Sequence, residues 1–251
     1  MRGIVIYLNE VTKKTEKLKK NKFNSPNVYN SNMKVLWLST PQQRQLLSQG
    51  YSFSHLSTDS QAQIWADIFL NTDILEVGSQ ACFFFEGIKD TSELLKYWPI
   101  LKKMANVIEN WVHSDILSKI YARLLEYDKT RIYPQLVKWN ISSNPWKRRQ
   151  SVVSLFCYQQ LRRTQPTRSM VFPLVSTLVD DEHYYVQKGL GWTLREAYQV
   201  YPKETLNFIH QNLTNISPIA FTTSMEKVDT RLKEKLKLAR KNHRVKSKNK
   251  R

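Results

Sequence analysis

Glycine and cysteine are scarce in this chain, with 6 Gly and 2 Cys among 251 residues. So few glycines disfavour all-β and βαβ folds, because the many tight turns of those folds depend on Gly. Cys82 and Cys157 lie in apolar stretches without Cys or His partners at metal-ligand spacing, so we expect buried thiols in a reducing compartment and no metal site. No run of about 18 apolar residues occurs, which disfavours a membrane-spanning helix and predicts no membrane partner.

Acidic residues are also scarce relative to basic ones. The chain has 39 Lys and Arg against 21 Asp and Glu, and the net charge of +18 indicates a polyanionic partner. Residues 1–34 carry 8 basic and 2 acidic side chains and residues 227–251 carry 12 and 2, so most of the excess lies at the ends. Residues 129–168, however, have 9 Lys or Arg and no Asp or Glu. We therefore expect a local basic field on folded sequence.

The composition divides the chain into three parts. Residues 1–33 are rich in Lys, Asn and Ser and are predicted to be a flexible basic leader. Residues 34–241 are predicted to form a helical repeat domain. Residues 242–251 are basic and lack apolar anchors, which predicts a disordered tail.

An aromatic residue followed by proline recurs along the chain from residue 98 onward. The pairs are Trp98-Pro99, Tyr133-Pro134, Phe172-Pro173 and Tyr201-Pro202. Each of the first three is predicted to open a short helix, followed by a polar break and a longer helix over about 110–126, 145–163 or 182–200. Two helices in about 37 residues are typical of HEAT-like repeats. We predict an all-α, HEAT-like α-solenoid, a curved superhelix of antiparallel helix pairs whose second helices line the concave face.

The longer predicted helices each carry a Trp close to charged residues. Trp111 and Asp115 are four residues apart, so they share one helix face, where a ring beside a carboxylate can hold a cationic nucleotide. The other two are Trp146-Lys147-Arg148-Arg149 and Gly191-Trp192-Thr193-Leu194-Arg195-Glu196. Taken singly, such Trp residues are more often solenoid core, Asp115 a capping or surface carboxylate, and Arg149 a solvated arginine.

Three blocks together carry a family resemblance. They read Asn110-Trp111-x-x-x-Asp115, Trp146-x-x-Arg149 and Lys188-Gly189-Leu190-Gly191-Trp192-x-Leu194-Arg195-Glu196. In this order and at these separations they resemble the AlkD family of bacterial DNA glycosylases, over about residues 60–230. The resemblance implies a HEAT-like repeat protein that excises alkylated purines from duplex DNA on an open concave face. It also implies a monomeric, cytoplasmic protein associated with the bacterial nucleoid.

The resemblance assigns roles to individual residues. Asp115 is implied to be the catalytic carboxylate, and Trp111 and Trp192 to pack against the deoxyribose of the lesion. Arg149 is implied to bind backbone phosphate. We assign the remaining candidates to the same DNA-binding surface: Arg148, Lys147, Trp146 and Lys188.

The chemistry of alkylated purines fits these residue types. Alkylation at N3 or N7 makes the base cationic and a good leaving group, so base departure moves positive charge onto the sugar. A carboxylate and the negative faces of Trp rings stabilise that charge. Asp115 can also position the attacking water. Hydrolysis of this kind needs only water, so we expect neither a metal nor an organic cofactor.

Two other functions remain open at this point. One is a non-catalytic HEAT-repeat protein that binds DNA or RNA structures; loss of the Trp and Asp set would favour it, and the set is intact. The other is a protein-binding HEAT scaffold, which would require an apolar or acidic concave face rather than the basic residues 129–168.

Other residues in the three blocks are expected to be structural. His113 points away from Trp111 and is interpreted as structural or exposed. Gly189 and Gly191 lie in a predicted helix with no strand before them, so they indicate close approach of helices or of a DNA backbone. Arg195 and Glu196 are expected to form an ion-pair network. The segments 50–57 and 222–227 lack Pro and Arg residues of the family pattern, which puts DNA affinity and lesion range in question more than the chemistry.

Overall fold

A computed structural model describes the backbone of residues 2–19, 31–157 and 162–248. Side chains are described for residues 5–19, 31–157 and 162–242. Across these ranges the chain forms helices and no strand, apart from an isolated bridge between Lys34 and Ile74. The all-α prediction is confirmed. The chain divides into two compact units, Met1–Tyr127 and Asp128–Arg251.

The first unit is built around one very apolar helix. Its helices are α1 (Arg2–Glu16), α2 (Thr40–Gln49), α3 (Thr58–Asn71), α4 (Leu75–Gly87), α5 (Thr91–Lys96), α6 (Trp98–Met104) and α7 (Trp111–Tyr127). Helix α4 packs between α3 and α7, and its residues from Leu75 to Phe83 are all buried. Helix α4 is therefore a core helix. Burial on every side explains why no polar face interrupts it.

The second unit is built around two helices, α9 and α11. Its helices are α8 (Lys129–Asn140), α9 (Pro145–Phe156), α10 (Arg168–Thr177), α11 (Tyr184–Val200), α12 (Pro202–Gln211), α13 (Pro218–Ser224) and α14 (Thr230–Lys248). Helix α11 packs against both α9 and α13. A Cβ at Gly191 would lie 2.6 Å from the Ala220 carbonyl oxygen, and one at Gly189 would lie 3.0 Å from Arg149 Cγ. Close helix approach, one of the two interpretations of these glycines, is confirmed.

The aromatic-proline pairs do not all open helices. Trp98-Pro99 and Tyr201-Pro202 lie at the starts of α6 and α12, whereas Pro134 and Pro173 lie inside α8 and α10. A helix tolerates an internal Pro when packing offsets the lost hydrogen bond. The Tyr133 hydroxyl donates to the Met170 carbonyl at 3.0 Å and so ties α8 to α10.

Both ends of the chain differ from their sequence expectations. Residues 2–16 of the expected flexible leader form α1, in which Val11 and Thr15 are fully buried. Side chains four residues apart on one helix face are enough to pack it, and average composition conceals such a stripe. Helix α14 continues past Lys241 to Lys248, into the expected disordered tail. Residues 20–30 of the leader and 249–251 of the tail lie outside the described residues.

The three long helices expected from the sequence are present, but one of them ends earlier than predicted. Helices α7 and α11 match the predicted segments closely. Helix α9 ends at Phe156 rather than near residue 163, because Cys157 leaves the helical conformation with φ −54° and ψ 119°. The prediction for residues 158–161 falls outside the described residues.

Candidate functional site

The start of α7 presents Trp111 and Asp115 on one side of the helix. Asn110 precedes the helix, and its side-chain oxygen accepts a hydrogen bond from the His113 backbone N–H at 2.8 Å. Trp111 and Asp115 are half-buried, whereas His113 and Ser114 between them are buried. The periodicity of the helix therefore turns the Trp and Asp away from the core of the first unit while the intervening residues anchor it.

His113 locks this helix start to the beginning of α4. Its Nε2 lies 2.8 Å from the Leu75 carbonyl oxygen, and its Nδ1 lies 3.0 Å from Asn110 Nδ2. Burial lowers the pKa of His113 to about 4, and the hydrogen bond to Leu75 offsets only part of that effect. A neutral ring that donates from Nε2 and accepts at Nδ1 satisfies both contacts. His113 therefore has a structural role, which was one of the two interpretations drawn from the sequence.

The start of α9 resembles that of α7 but turns its Trp inward. The Asn144 side-chain oxygen accepts from the Trp146 backbone N–H at 2.8 Å. The Trp146 ring is only 7% exposed; it stacks on Tyr185 at a centroid distance of 5.1 Å and meets His183 edge-on at 6.0 Å. Trp146 therefore joins α9 to the start of α11.

The two arginines that follow Trp146 make contacts inside the second unit. Arg148 Nε donates to Asp181 at 2.5 Å, and its Nη1 donates to the Ser142 carbonyl at 2.8 Å. Arg149 is 6% exposed, and its Nη1 donates to the Tyr185 carbonyl at 2.9 Å. Lys147 is half-buried and Lys188 is exposed. Of the predicted DNA-binding set, the two lysines present the more accessible charge.

In the folded structure, acidic residues that lie outside residues 129–168 in the sequence form ion pairs with arginines of this basic stretch. Asp181 pairs with Arg148, and Glu204 pairs with Arg168 at 2.5 Å. The local field is consequently weaker than the sequence indicates. Counting charges along a segment does not show which distant carboxylates fold onto it.

Trp192 lies half-buried on α11, with the Arg195 guanidinium 5.5 Å from its ring centroid. Arg195 bonds Glu196 at 2.8 Å and Glu226 at 2.5 Å, and Lys227 bonds Glu196 at 2.9 Å. The expected ion-pair network is confirmed. Arg195, which belongs to this network, also makes a cation–π contact with one face of the Trp192 ring.

A pocket of about 310 Å³ lies beside the start of α7 in the first unit. Its lining includes Asn32, Met33, Phe69, Asp73, Glu109 and His113. The sequence offered no signal for it, because these residues come from separate segments. Among the described residues, no three His, Cys, Asp or Glu side chains are grouped to hold a metal ion, and no helix is long and apolar enough to cross a membrane.

Comparison with known families decides the classification. The model of the DNA alkylation repair enzyme family matches residues 10–228. The chain belongs to this family. The matched range contains every residue of the three sequence blocks, so the candidate residues of α7, α9 and α11 lie within the family region.

Solved structures confirm the fold class. AlkD2 from Streptococcus mutans is similar with a TM-score of 0.58 and 16% identity, covering 90% of this chain and 100% of that one. The protein smu.31 from Streptococcus mutans UA159 is similar with a TM-score of 0.53 and 18% identity, covering 75% and 92%. No curated protein shows significant similarity to the chain. At these identities the two structures support the helical fold alone.

Proposed function

We propose that the protein is a DNA glycosylase that hydrolyses the N-glycosidic bond of cationic alkylated purines in duplex DNA. The substrates are of the 3-methyladenine and 7-methylguanine type, and the protein acts as a monomer. Family membership gives the broader class, repair of alkylated DNA. The particular reaction and substrate are the proposal.

One observation carries the proposal, namely the geometry of Trp111 and Asp115. The two side chains lie four residues apart on α7 and remain half-buried. The buried His113 holds this helix start in place through its hydrogen bond to the Leu75 carbonyl. A rigid support of this kind favours a preorganised site, because little energy is then spent on orienting the groups during reaction.

The proposed chemistry follows from the charge of the lesion. A cationic purine leaves as a neutral base, and the deoxyribose develops oxocarbenium character. The Asp115 carboxylate stabilises that charge and orients the attacking water, and the Trp111 face adds electrostatic attraction. A contact of Trp192 with the deoxyribose of the lesion stays a prediction of the family resemblance. Since the base leaves without prior protonation, no general acid is required.

Lys147, Lys188 and Arg149 are proposed to bind the DNA backbone. Lys188 is exposed and Lys147 half-buried, so both are more accessible to a phosphate than the buried Arg149. Arg149 is already bonded to the Tyr185 carbonyl, so its phosphate contact would be secondary to a structural one. Arg148 and Trp146 then support this surface from beneath through Asp181 and Tyr185.

A second candidate is a non-catalytic protein that binds DNA or RNA structures. The observation that favours it is the internal use of Arg148 and Arg149, which reduces the charge available for gripping a duplex. Such a protein would bind nucleic acid through its lysines and leave methylated bases in place.

Release of free bases separates the two candidates. Duplex DNA methylated with dimethyl sulfate carries cationic 7-methylguanine and 3-methyladenine, and the bases released by the protein are identified by chromatography. We expect methylated purines from this substrate and no uracil from a matched duplex containing that neutral base. An Asp115→Asn preparation purified in parallel controls for contaminating host glycosylases. Tight binding without base release would favour the second candidate.

A further inference from the structure

A short segment of the first unit holds a tryptophan in an unusual backbone conformation. We call residues 34–39, which lead into α2, the strap. The strap begins at Lys34, whose N–H donates to the Asp73 carbonyl at 2.8 Å and whose carbonyl accepts from Leu75 N–H at 3.0 Å. These two bonds lay the strap along the start of α4.

A buried carboxylate fixes the centre of the strap. Glu76, on the first turn of α4, is 1% exposed. Its oxygens accept from Leu36 N–H at 2.9 and 3.0 Å, and one of them accepts from Leu38 N–H at 3.3 Å. Backbone N–H groups two residues apart that converge on one anion form a nest, which requires an unusual conformation between them.

Trp37 is the residue between these two N–H groups. Its φ of +62° is the single positive value at a non-glycine residue among those described. Bulky side chains rarely adopt this left-handed conformation, because Cβ crowds the following carbonyl oxygen. Glycine or asparagine would fit without that strain. Strain retained at a bulky residue, and stabilised by a buried carboxylate, points to a functional constraint at that position.

The strap and the start of α7 share one anchor. Glu76 holds the strap, and the neighbouring Leu75 carbonyl holds His113 of α7. Two further contacts join the residues flanking both elements. Ser31 Oγ donates to Glu109 at 2.6 Å, and Asn110 Nδ2 lies 3.5 Å from Met33 Sδ. The elements that carry Trp37 and Trp111 are therefore both attached to the first turn of α4.

We infer that Trp37 is a further DNA-contacting residue, which stacks on a nucleobase close to the lesion. The inference rests on the proposed function, because it places Trp37 on the same nucleic acid as Trp111. Trp37 is half-buried, as is Trp111, whereas Leu36 and Leu38 on either side of it are buried. A ring carried on a clamped backbone loses little freedom when it stacks, and base–aromatic stacking tolerates any sequence.

The left-handed backbone provides a test that separates binding from folding. In the full-length protein, Trp37→Gly relieves the strain, so we expect an unchanged or higher Tm. The same variant should bind DNA about tenfold more weakly, in the range measured when one stacking contact is lost. Trp37→Phe keeps an aromatic face and should retain most of the affinity. The probe is a fluorescein-labelled duplex with one tetrahydrofuran abasic analogue, followed by fluorescence anisotropy.

Two outcomes would overturn the inference. One is a Trp37→Gly variant whose Kd stays within about twofold of the parent at an unchanged Tm. The other is a lower Tm with an unchanged Kd, which would assign the ring to packing in the first unit. Because the probe cannot be hydrolysed, the measurement does not depend on catalysis. If the parent protein released no methylated bases, the proposed function would be contradicted, but the measured effect of Trp37→Gly on DNA binding would stand.

Discussion

Helices α7 and α9 begin with the same local pattern, an Asn cap followed by a Trp and then charged side chains. In α7 the Trp111 ring and Asp115 stay half-buried, whereas in α9 Trp146 is 7% and Arg149 6% exposed. The difference comes from the neighbouring elements, because Tyr185 of α11 covers the start of α9. Similar sequence blocks can therefore leave side chains partly accessible in one helix and bury them in another.

The largest expected effect tests this contrast directly with two Trp substitutions. Trp146→Ala should lower the free energy of unfolding by about 3–5 kcal/mol, as removal of a buried aromatic ring usually does. Trp111→Ala should cost about 1 kcal/mol or less, because the ring is already partly solvated, yet it should slow base release. Chemical denaturation and single-turnover excision measure the two effects. Equal stability losses would remove the distinction between the helices.

The next largest expected effect concerns His113, whose hydrogen bond to the Leu75 carbonyl holds the start of α7 in place. Burial holds the folded-state pKa of His113 at about 4, below the ordinary value of 6.5, so the unfolded chain binds the proton more readily. The stabilisation from a neutral His113 is complete above about pH 6.5 and is lost as the pH falls towards 4; it amounts to about 3 kcal/mol. Denaturation at several pH values measures this loss.

Two variants sharpen the test of His113. His113→Gln should be less stable than the parent at neutral pH, but its stability should fall less between pH 6.5 and 4. His210→Asn, at an exposed position of α12, should leave the pH dependence unchanged. A parent-like pH slope in His113→Gln would show that other groups cause the acid sensitivity.

Asp115 should have the next largest effect, and this one is on the reaction. If its carboxylate stabilises the developing charge on the sugar, Asp115→Asn should slow single-turnover base release about 10²-fold, or about 2.7 kcal/mol. DNA affinity should change little, because a carboxylate near phosphates does not favour binding. Glu126→Gln, at the far end of α7, is the matched control and should excise normally. Normal excision by Asp115→Asn would contradict the catalytic role.

The smallest expected effects compare two basic residues of the second unit. Arg148→Ala leaves Asp181 without its guanidinium partner and should lower stability by about 2 kcal/mol. Lys188→Ala should leave Tm unchanged while reducing the salt dependence of DNA binding by about one unit of slope. Titrations of several unrelated duplexes at different salt concentrations measure that slope. A sequence-selective loss in Lys188→Ala would argue against a phosphate contact.

Much of the helical framework followed from local sequence signals. Helices α7 and α11 were expected from the repeat pattern within two residues of their observed bounds. The glycines of α11 indicated close approach of helices or of a DNA backbone, and Arg195 and Glu196 indicated an ion-pair network. Trp111 and Asp115 were singled out by their spacing of four residues together with the family resemblance. Apart from the repeat pattern and the resemblance, these signals operate within one or two helical turns.

Tertiary structure decided which candidate side chains remain accessible. Asp181 captures Arg148 from 33 positions away in the chain, and Glu76 holds the Leu36 N–H from 40 positions away. No local pattern encodes such pairs, because they depend on which surfaces meet after the helices pack. The sequence by itself determined an all-α repeat protein with a Trp and Asp pair on one helix face. The packing around each helix start determined whether a ring is buried, like Trp146, or half-buried, like Trp111.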